Sequence, residues 1–392
     1  MSLPMAIRPS ICVRLASHGF LAVWLLVAAF PLAWIVVMSV KLPIDAFSGS
    51  PWQVIVGPRT VEAGHGLTWI DLVLGGAAVA GFAVAAGWLA ARLARALSFA
   101  GRIGGWVAAI LLIAVAGIVL LLGVLPWLLS PLDDGVAKVL GVTFQHYRAV
   151  WVGHGFWRNF INSLTVTAGV VTVSLTVGTL AGYALSRVQS GLGLWLLLVA
   201  LVFRALPHSV LVTGFLPVFI GSRDLLIPLW EAPMLGPFLH LFADVPPTLY
   251  GKPWAVIAVL VSINQPFTIW LLRSFFRNVP TELDEAARVD GCSHLEAFMR
   301  VIVPVMWPGV ITAGLFSFLL AYNDYLVCAL LLDAQSQTMV PAITQYFNRE
   351  TTSTDQVEAV AAAVSITAPL FVLVMAFQRQ IVSGLTAGAV KG

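Results

Sequence analysis

Two uncharged stretches constrain this chain more than any other feature. Residues 20–40 read FLAVWLLVAAFPLAWIVVMSV and residues 104–129 read GGWVAAILLIAVAGIVLLLGVLPWLL. A helix rises 1.5 Å per residue, so about twenty apolar residues cross the roughly 30 Å hydrocarbon core of a bilayer. Inside lipid every backbone polar group needs an internal partner, which leaves only helices and closed barrels. A barrel would show alternating segments of about ten residues, and none is visible. Charged residues make up only 10% of the chain, against about 25% in soluble domains. The expected fold class is therefore an all-α polytopic membrane protein.

Eight spanning helices are predicted, at 18–40, 69–91, 104–129, 160–186, 192–217, 254–276, 308–332 and 359–381. The first is read as a retained helix rather than a signal peptide, because its apolar core is too long and no small-x-small cleavage site is evident. An even number of crossings puts both termini on one side, and the distribution of basic residues decides which. With the termini cytoplasmic, the inner segments hold twelve bases: Arg8, Arg14, Arg92, Arg95, Arg102, Arg187, Arg273, Arg277, Arg288, Arg300, Arg379 and Lys391. The longer outer loops hold eight: Lys41, Arg59, Lys138, Arg148, Arg158, Arg223, Lys252 and Arg349. The balance favours cytoplasmic termini. Outer loops 130–159 and 218–253 are rich in Pro, Gly and Trp, which suits compact turns and interfacial pieces.

The net charge of +3 and the lack of a basic run give no reason to expect nucleic acid. Cys12, Cys292 and Cys328 have no metal-ligand spacing, and no disulfide is expected between them. No metal or cofactor is predicted.

One segment breaks the apolar pattern. Residues 280–308 read PTELDEAARVDGCSHLEAFMRVIVPVMWP and carry Glu282, Asp284, Glu285, Asp290 and Glu296. Thr281 followed by Asp284 predicts a capped helix start, and three acids in the first turn suit the helix dipole. Gly291 stands where a left-handed residue would end that helix. Ser293 with Glu296 predicts a capping box for a second helix, whose apolar face would be Leu295, Phe298, Met299 and Ile302. Pro304 and Pro308 close it. The island reads as helix, stop, helix: a rigid elbow at the membrane surface that could dock a partner and transmit force.

Glu285-Ala286-Ala287, then Gly291, then Ile302-Val303-Pro304 resembles the EAA loop of ABC-importer permease subunits. The fuller form NVPTELDEAARVDG…VIVPVMWPG is most similar to the carbohydrate-uptake, maltose-type importers. Further matches are FPLAWIVVMSVK, FQHYRAVW…FWRNFINSLTVT, NQPFTIWLLRSFF and SFLLAYNDYLVCALLL. The ending QRQIVSGLTAGAVKG resembles the tail of the smaller permease subunit in such systems. Together these cover roughly 18–52 and 141–392.

The resemblance implies a six-helix permease core plus two inserted helices. Its segments would be 1–52 with the first helix, the insertion 53–140, core helices in 141–279, the coupling loop 280–307, and the last core helices with the tail in 308–392. It also implies that Glu285, Ala286, Ala287, Arg288, Asp290 and Gly291 couple to a separate ATPase subunit. Gly384, Gly388 and Lys391 would make a second contact through a flexible, basic tail. The implied partners are a homologous second permease, two ATPase subunits and an external substrate-binding protein, in a bacterial inner membrane, with a sugar or polyol as solute. Tyr322 departs from the Trp common at that place. The insertion departs more, but two extra crossings preserve the orientation of every later helix. Its GGAAVAGFAVAAG (75–87) would let helices approach closely, either at an interface or against the subunit itself.

Polar residues within spans are costly and usually face a cavity or a partner. Asn323 and Asp324 interrupt one helix, Asn264 and Gln265 sit beside Pro266 in another, and Arg204 and His208 lie one turn apart. A polar solute path is one reading. Structural pairing, such as Arg204 with Asp324, is the other. Tyr183 and Trp270 read as packing or interface anchors rather than ligand stackers. No G-x4-G-K-[ST] phosphate loop is present, so this chain is not expected to hydrolyse ATP. An ion-coupled secondary transporter would need intramembrane carboxylates, of which only Asp324 qualifies, and an internal repeat. A membrane-embedded enzyme would need a catalytic cluster, and none is found.

Overall fold

The computed structural model describes residues 11–78, individual positions between 80 and 92, 136–188, 191–233, 246, 248–347 and 352–389. The predicted helix at 104–129, most of that at 69–91, and Lys391 lie outside the described residues. The chain forms two compact units: Met1–Gly153 with Tyr346–Ser365, and His154–Gln345 with Ile366–Gly392.

The first unit begins with helix α1 (Ile11–Ser39), whose apolar side chains from Val13 to Val36 are exposed within the chain. Three short helices come next, Pro43–Ala46, Pro51–Val56 and Pro58–Glu62. Each opens on proline, whose fixed φ and missing N–H suit a first helical position. A buried polar staple joins them. Lys41 is 1% exposed, and its Nζ donates to the carbonyls of Ile55, at 2.7 Å, and Gly141. Asp45 accepts from the N–H and hydroxyl of Thr60, each at 2.7 Å. Burial holds the Lys41 ammonium below its ordinary pKa, while Asp45 pulls the other way.

Strands β1 (Leu67–Thr68) and β2 (Lys138–Leu140) pair antiparallel, with Thr68 opposite Lys138 and Leu67 opposite Leu140. The long excursion between them thus leaves and returns at one neck. Gly141 sits too close to Gly57 for a side chain, since an added Cβ would lie 2.2 Å from the Gly57 carbonyl oxygen. Beyond the neck, Tyr147 bonds Ser39 at 2.8 Å and Trp151 donates to Ser365 at 3.0 Å.

The second unit is a helical bundle. Helix α2 (Phe156–Arg187) has 32 residues, about 48 Å of rise. Helices α3 (Gly191–Arg204) and α4 (His208–Ile220) come next, then Ser222–Trp230 and α5 (Pro253–Phe276). The elbow comprises α6 (Glu282–Val289) and α7 (His294–Ala297), the latter extended by a π turn at Phe298–Ile302. Helix α8 (Trp307–Tyr322), α9 (Leu326–Leu331), a short helix at Met339–Thr344 and α10 (Ser353–Ala389) come last. The last of these begins in the first unit and ends in the second.

Four described helices are long and apolar enough to cross a membrane: Leu15–Ser39, Phe156–Arg187, Ser209–Trp230 and Pro253–Phe276. A fifth arises if His294–Val305 and Trp307–Tyr322, bent by 78°, count as one span. The predicted eight-span count is not reached among the described residues.

The span predicted at 192–217 is corrected. The chain breaks at Ala205–Pro207, where Pro207 is extended at ψ 134° and lacks an N–H, and proline disfavours the helical region for the residue before it. The apolar helix then continues through Trp230, inside the segment expected to be an outer loop. The interruption expected at Asn323 and Asp324 is present: α8 ends at Tyr322 and α9 starts at Leu326. Pro266 does not break its helix, since α5 is continuous through it. The tail glycines are corrected too. Gly384 and Gly388 lie within α10, which runs to Ala389 rather than fraying into a flexible tail. A glycine costs about 1 kcal/mol inside a helix, which a long cooperative helix can carry.

Candidate coupling elbow and polar span residues

The elbow forms largely as its sequence dictates. Helix α6 ends where Gly291 adopts φ +89°, a left-handed conformation open to glycine at no steric cost. Ser293 Oγ then accepts from the Glu296 N–H at 3.3 Å, and Glu296 Oε2 accepts from the Ser293 N–H at 3.0 Å. That reciprocal pair is the predicted capping box. The Ser293 hydrogen bonds, with Arg300 nearby, hold the exposed Glu296 carboxyl below its ordinary pKa.

The start of α6 differs from expectation. Thr281 is already helical, at φ −68° and ψ −23°, and its side chain caps nothing. Asp284 turns away from Thr281 and inward. Its Oδ2 lies 2.7 Å from Arg187 Nη2, and its Oδ1 accepts from the Tyr183 hydroxyl at 2.5 Å. The Tyr183 ring packs as an anchor should, 4.7 Å from Phe298 and 5.6 Å from Phe276.

Only half of the predicted apolar face of the second helix is buried. Phe298 and Ile302 enter a core with Leu272, Phe275, Phe276, Val279, Met306, Val310 and Ala313. Leu295 and Met299 stay 64% and 57% exposed, and Val289 is 87% exposed. Of the predicted coupling residues, Ala287 is buried, whereas Glu285, Ala286, Arg288, Asp290 and Gly291 are exposed. Glu285, Arg288, Val289, Cys292, Ser293 and His294 line a shallow depression of about 590 Å³. Exposed apolar and charged side chains therefore share one open surface, held up from below by an aromatic core.

In the described contacts Asn264, Gln265, Asn323, Asp324 and Arg204 each meet a different partner. Asn264 is 1% exposed, and its amide donates to Ser317 of α8 at 2.7 Å. Gln265 reaches the Ser174 carbonyl of α2 at 3.4 Å, while its buried Oε1 is left without a protein partner. Asp324 Oδ1 accepts from the N–H groups of Val327 and Cys328, at 2.9 and 3.1 Å, and so caps α9. Exposed Asn323 donates to the Leu319 carbonyl. The Arg204 guanidinium lies 4.5 Å over the Phe267 ring, a cation–π contact at the end of α3. His208 opens α4.

Two structural features have weak or no signals in the sequence. Ser174, Gly178 and Gly182 form a small-residue stripe along α2 that seats α5. A Cβ on Gly182 would lie 3.0 Å from the Arg273 backbone nitrogen and 3.1 Å from Leu272 Cβ. The G-x3-G spacing is a readable sign of close helix approach, but the richer small-residue run at 75–87 masks it. At the other end of α2, Asn159 and Asn162 donate to the Gln337 carbonyl at 2.9 and 3.1 Å, and Ser163 accepts from the Met339 N–H. These polar residues in FWRNFINS pin the loop before Met339. Nothing in their spacing marks a partner more than 170 residues away.

Residues 174–386 match the family model described as binding-protein-dependent transport system inner membrane component. A trehalose transport system permease of Mycobacterium tuberculosis is 31% identical over 264 residues, covering 67% of this chain and 87% of that protein. A diacetylchitobiose uptake system permease of Streptomyces coelicolor is 34% identical over 253 residues, covering 64% and 82%. A maltodextrin transport system permease of Bacillus subtilis is 27% identical over 252 residues, covering 64% and 81%.

Proposed function

Because the chain belongs to the family of binding-protein-dependent transport system inner membrane components, we propose that it is the permease subunit of an ATP-driven importer of a sugar or related polyol. The relatives with named solutes include permeases for trehalose, diacetylchitobiose and maltodextrin. The observation that carries the reading is the elbow: a capped two-helix unit with an open, partly apolar surface on a buried aromatic core. The ion-coupled secondary transporter is set aside by the family.

In this reading a separate ATPase subunit docks on Glu285, Ala286, Arg288, Asp290 and Gly291, with buried Ala287 on the inner side of the same helix. Nucleotide-driven closure pushes the elbow, and because the helical stretch His294–Val305 turns by 78° into α8, a lateral push becomes a tilt of a membrane helix. A second permease, two ATPase subunits and an external binding protein complete the assembly. Both termini face the cytoplasm, and Gly384, Gly388 and Lys391 offer a second ATPase contact. Solute passes along a path shared with the second permease. Asn323, with Asp324, Arg204, His208 and Gln265, forms its polar lining, while Asn264 is engaged in helix packing.

The experiment is uptake of radiolabelled trehalose or maltose in cells carrying Glu285→Lys or Gly291→Pro. Uptake should collapse while the binding protein's affinity for its sugar stays unchanged. Normal uptake in both variants would reject the coupling role.

A further inference from the structure

Of the three acids in the first turn of α6, Glu282 and Glu285 face solvent and only Asp284 is drawn inward. The group it meets, Arg187, is the last residue of α2, and both side chains are only 16% exposed. The same guanidinium donates through Nη1 to the carbonyls of Phe276 and Val279, at 3.3 and 3.1 Å. Those carbonyls lie at and just beyond the end of α5, and that of Phe276 also accepts from the Val279 N–H at 3.1 Å. Arg187 thus ties three chain segments at one point: the end of α2, the end of α5 and the start of α6. Its guanidinium also lies 5.6 Å over the Tyr183 ring, whose hydroxyl donates to the second Asp284 oxygen. A further strap, Arg273 Nε to the Leu185 carbonyl at 3.1 Å, joins α5 and α2 at the same level.

The short connection from Arg277 to Thr281 could act as a hinge, letting a pushed elbow swing without moving the bundle. Charge-assisted bonds across that connection remove the freedom. We propose that Tyr183, Arg187 and Asp284 form a latch that makes α6 move as one body with the elbow-side ends of α2 and α5. These are positioning residues: they touch neither solute nor nucleotide, and act through α6. The proposal rests on the permease reading above.

The test uses the reconstituted transporter with nitroxide labels at Val188→Cys and Glu282→Cys, exposed positions at the end of α2 and the start of α6 that lie outside the elbow depression. Cys12 and Cys292 are replaced by serine, and buried Cys328 is kept. With the latch intact, one narrow label distance is expected, the same without nucleotide and with a non-hydrolysable ATP analogue. Asp284→Asn should broaden that distance and lower solute moved per ATP hydrolysed by at least about fivefold, the lower end of ordinary coupling. Asp284→Glu should restore both. Tyr183→Phe, which removes one hydroxyl, should give a smaller loss in the same two readouts if Asp284→Asn fails to assemble. A residue that merely supports the fold would lower the amount of complex and leave the surviving complex with a narrow distance and an unchanged ratio. Either of those results in the assembled variants overturns the latch. Failure of the latch-intact complex to import sugar with ATP would instead overturn the permease reading, and is scored separately.

Discussion

Asp284 and Glu285 are neighbours of the same charge with opposite surroundings. One is committed to Arg187 and Tyr183, and the other is exposed on the elbow surface. The residue scale also governs Gly291. Its φ of +89° demands the left-handed region, yet open space surrounds the site of a Cβ. Backbone strain alone, about 1–2 kcal/mol for an ordinary residue, therefore sets the cost. Gly291→Asn should keep most uptake, because Asn tolerates this region, while Gly291→Val should lose it. A steric role would make both fail. His146 supplies a pH dependence. It is 1% exposed, and burial lowers its pKa below 6.5, against opposing pulls from Glu358 and its hydrogen bond with the Lys41 backbone. As pH falls through about 6.5, the unfolded chain binds a proton that the folded chain refuses, so stability declines. Thermal unfolding of the purified protein at about pH 7.5 and about pH 5.5 should show the lower midpoint in acid. His146→Gln should reduce that difference.

At the scale of elements, helix contacts depend on where a side chain would have room. Gly182 of α2 faces backbone and Cβ atoms of α5, which cannot rotate away. Gly169 faces only the flexible end of Ile257, 2.5 Å from the added Cβ. Gly182→Leu should cost about 1–3 kcal/mol through overpacking and lower the thermal midpoint of the purified protein. Gly169→Ala should cost little, because Ile257 can shift its rotamer. Equal tolerance at both sites would contradict the packing. The broken helices obey a similar logic. Pro207 and Pro266 restrict the residue before them equally, yet the helix breaks at Pro207 and runs on through Pro266, which sits between buried Asn264 and Thr268 in α5. Proline in lipid-embedded helices is tolerated where neighbours satisfy the freed groups, and that depends on packing rather than on the proline itself.

For the whole molecule, the paired strands β1 and β2 bring the two ends of the long excursion together, with Thr68 opposite Lys138. Replacing residues 69–137 with Asn-Gly, the dipeptide preferred in two-residue hairpins, should leave a chain that still reaches the membrane and imports its sugar. Loss of membrane insertion would mean that the excursion is required for the fold. Lys41, counted in sequence as an outer-loop base, is instead buried beside this neck with its charge spent on two carbonyls. Counting charges along loops cannot see this, because burial depends on how distant segments meet.

The elbow was legible in sequence because its signals are local. A capping box, a left-handed glycine stop and an EAA pattern act over a few residues, where backbone sterics and nearby hydrogen bonds decide the outcome. Apolar length gave the membrane class for a similar reason, since the cost of burying unpaired backbone groups is incurred segment by segment. Asp284's partner is different. The sequence showed three acids in one turn but could not say which would face inward. That depends on α2 and α5 arriving from about 100 and 10 residues away to present Arg187, Tyr183 and Phe276. Asn264, Asp324 and Arg204 are ambiguous for the same reason: a polar group in a span is satisfied by whatever the packing brings within about 3 Å. Local chemistry determined this protein's class and its elbow. Only tertiary structure decided which polar groups hold helices together, because long-range partners have no fixed spacing in sequence.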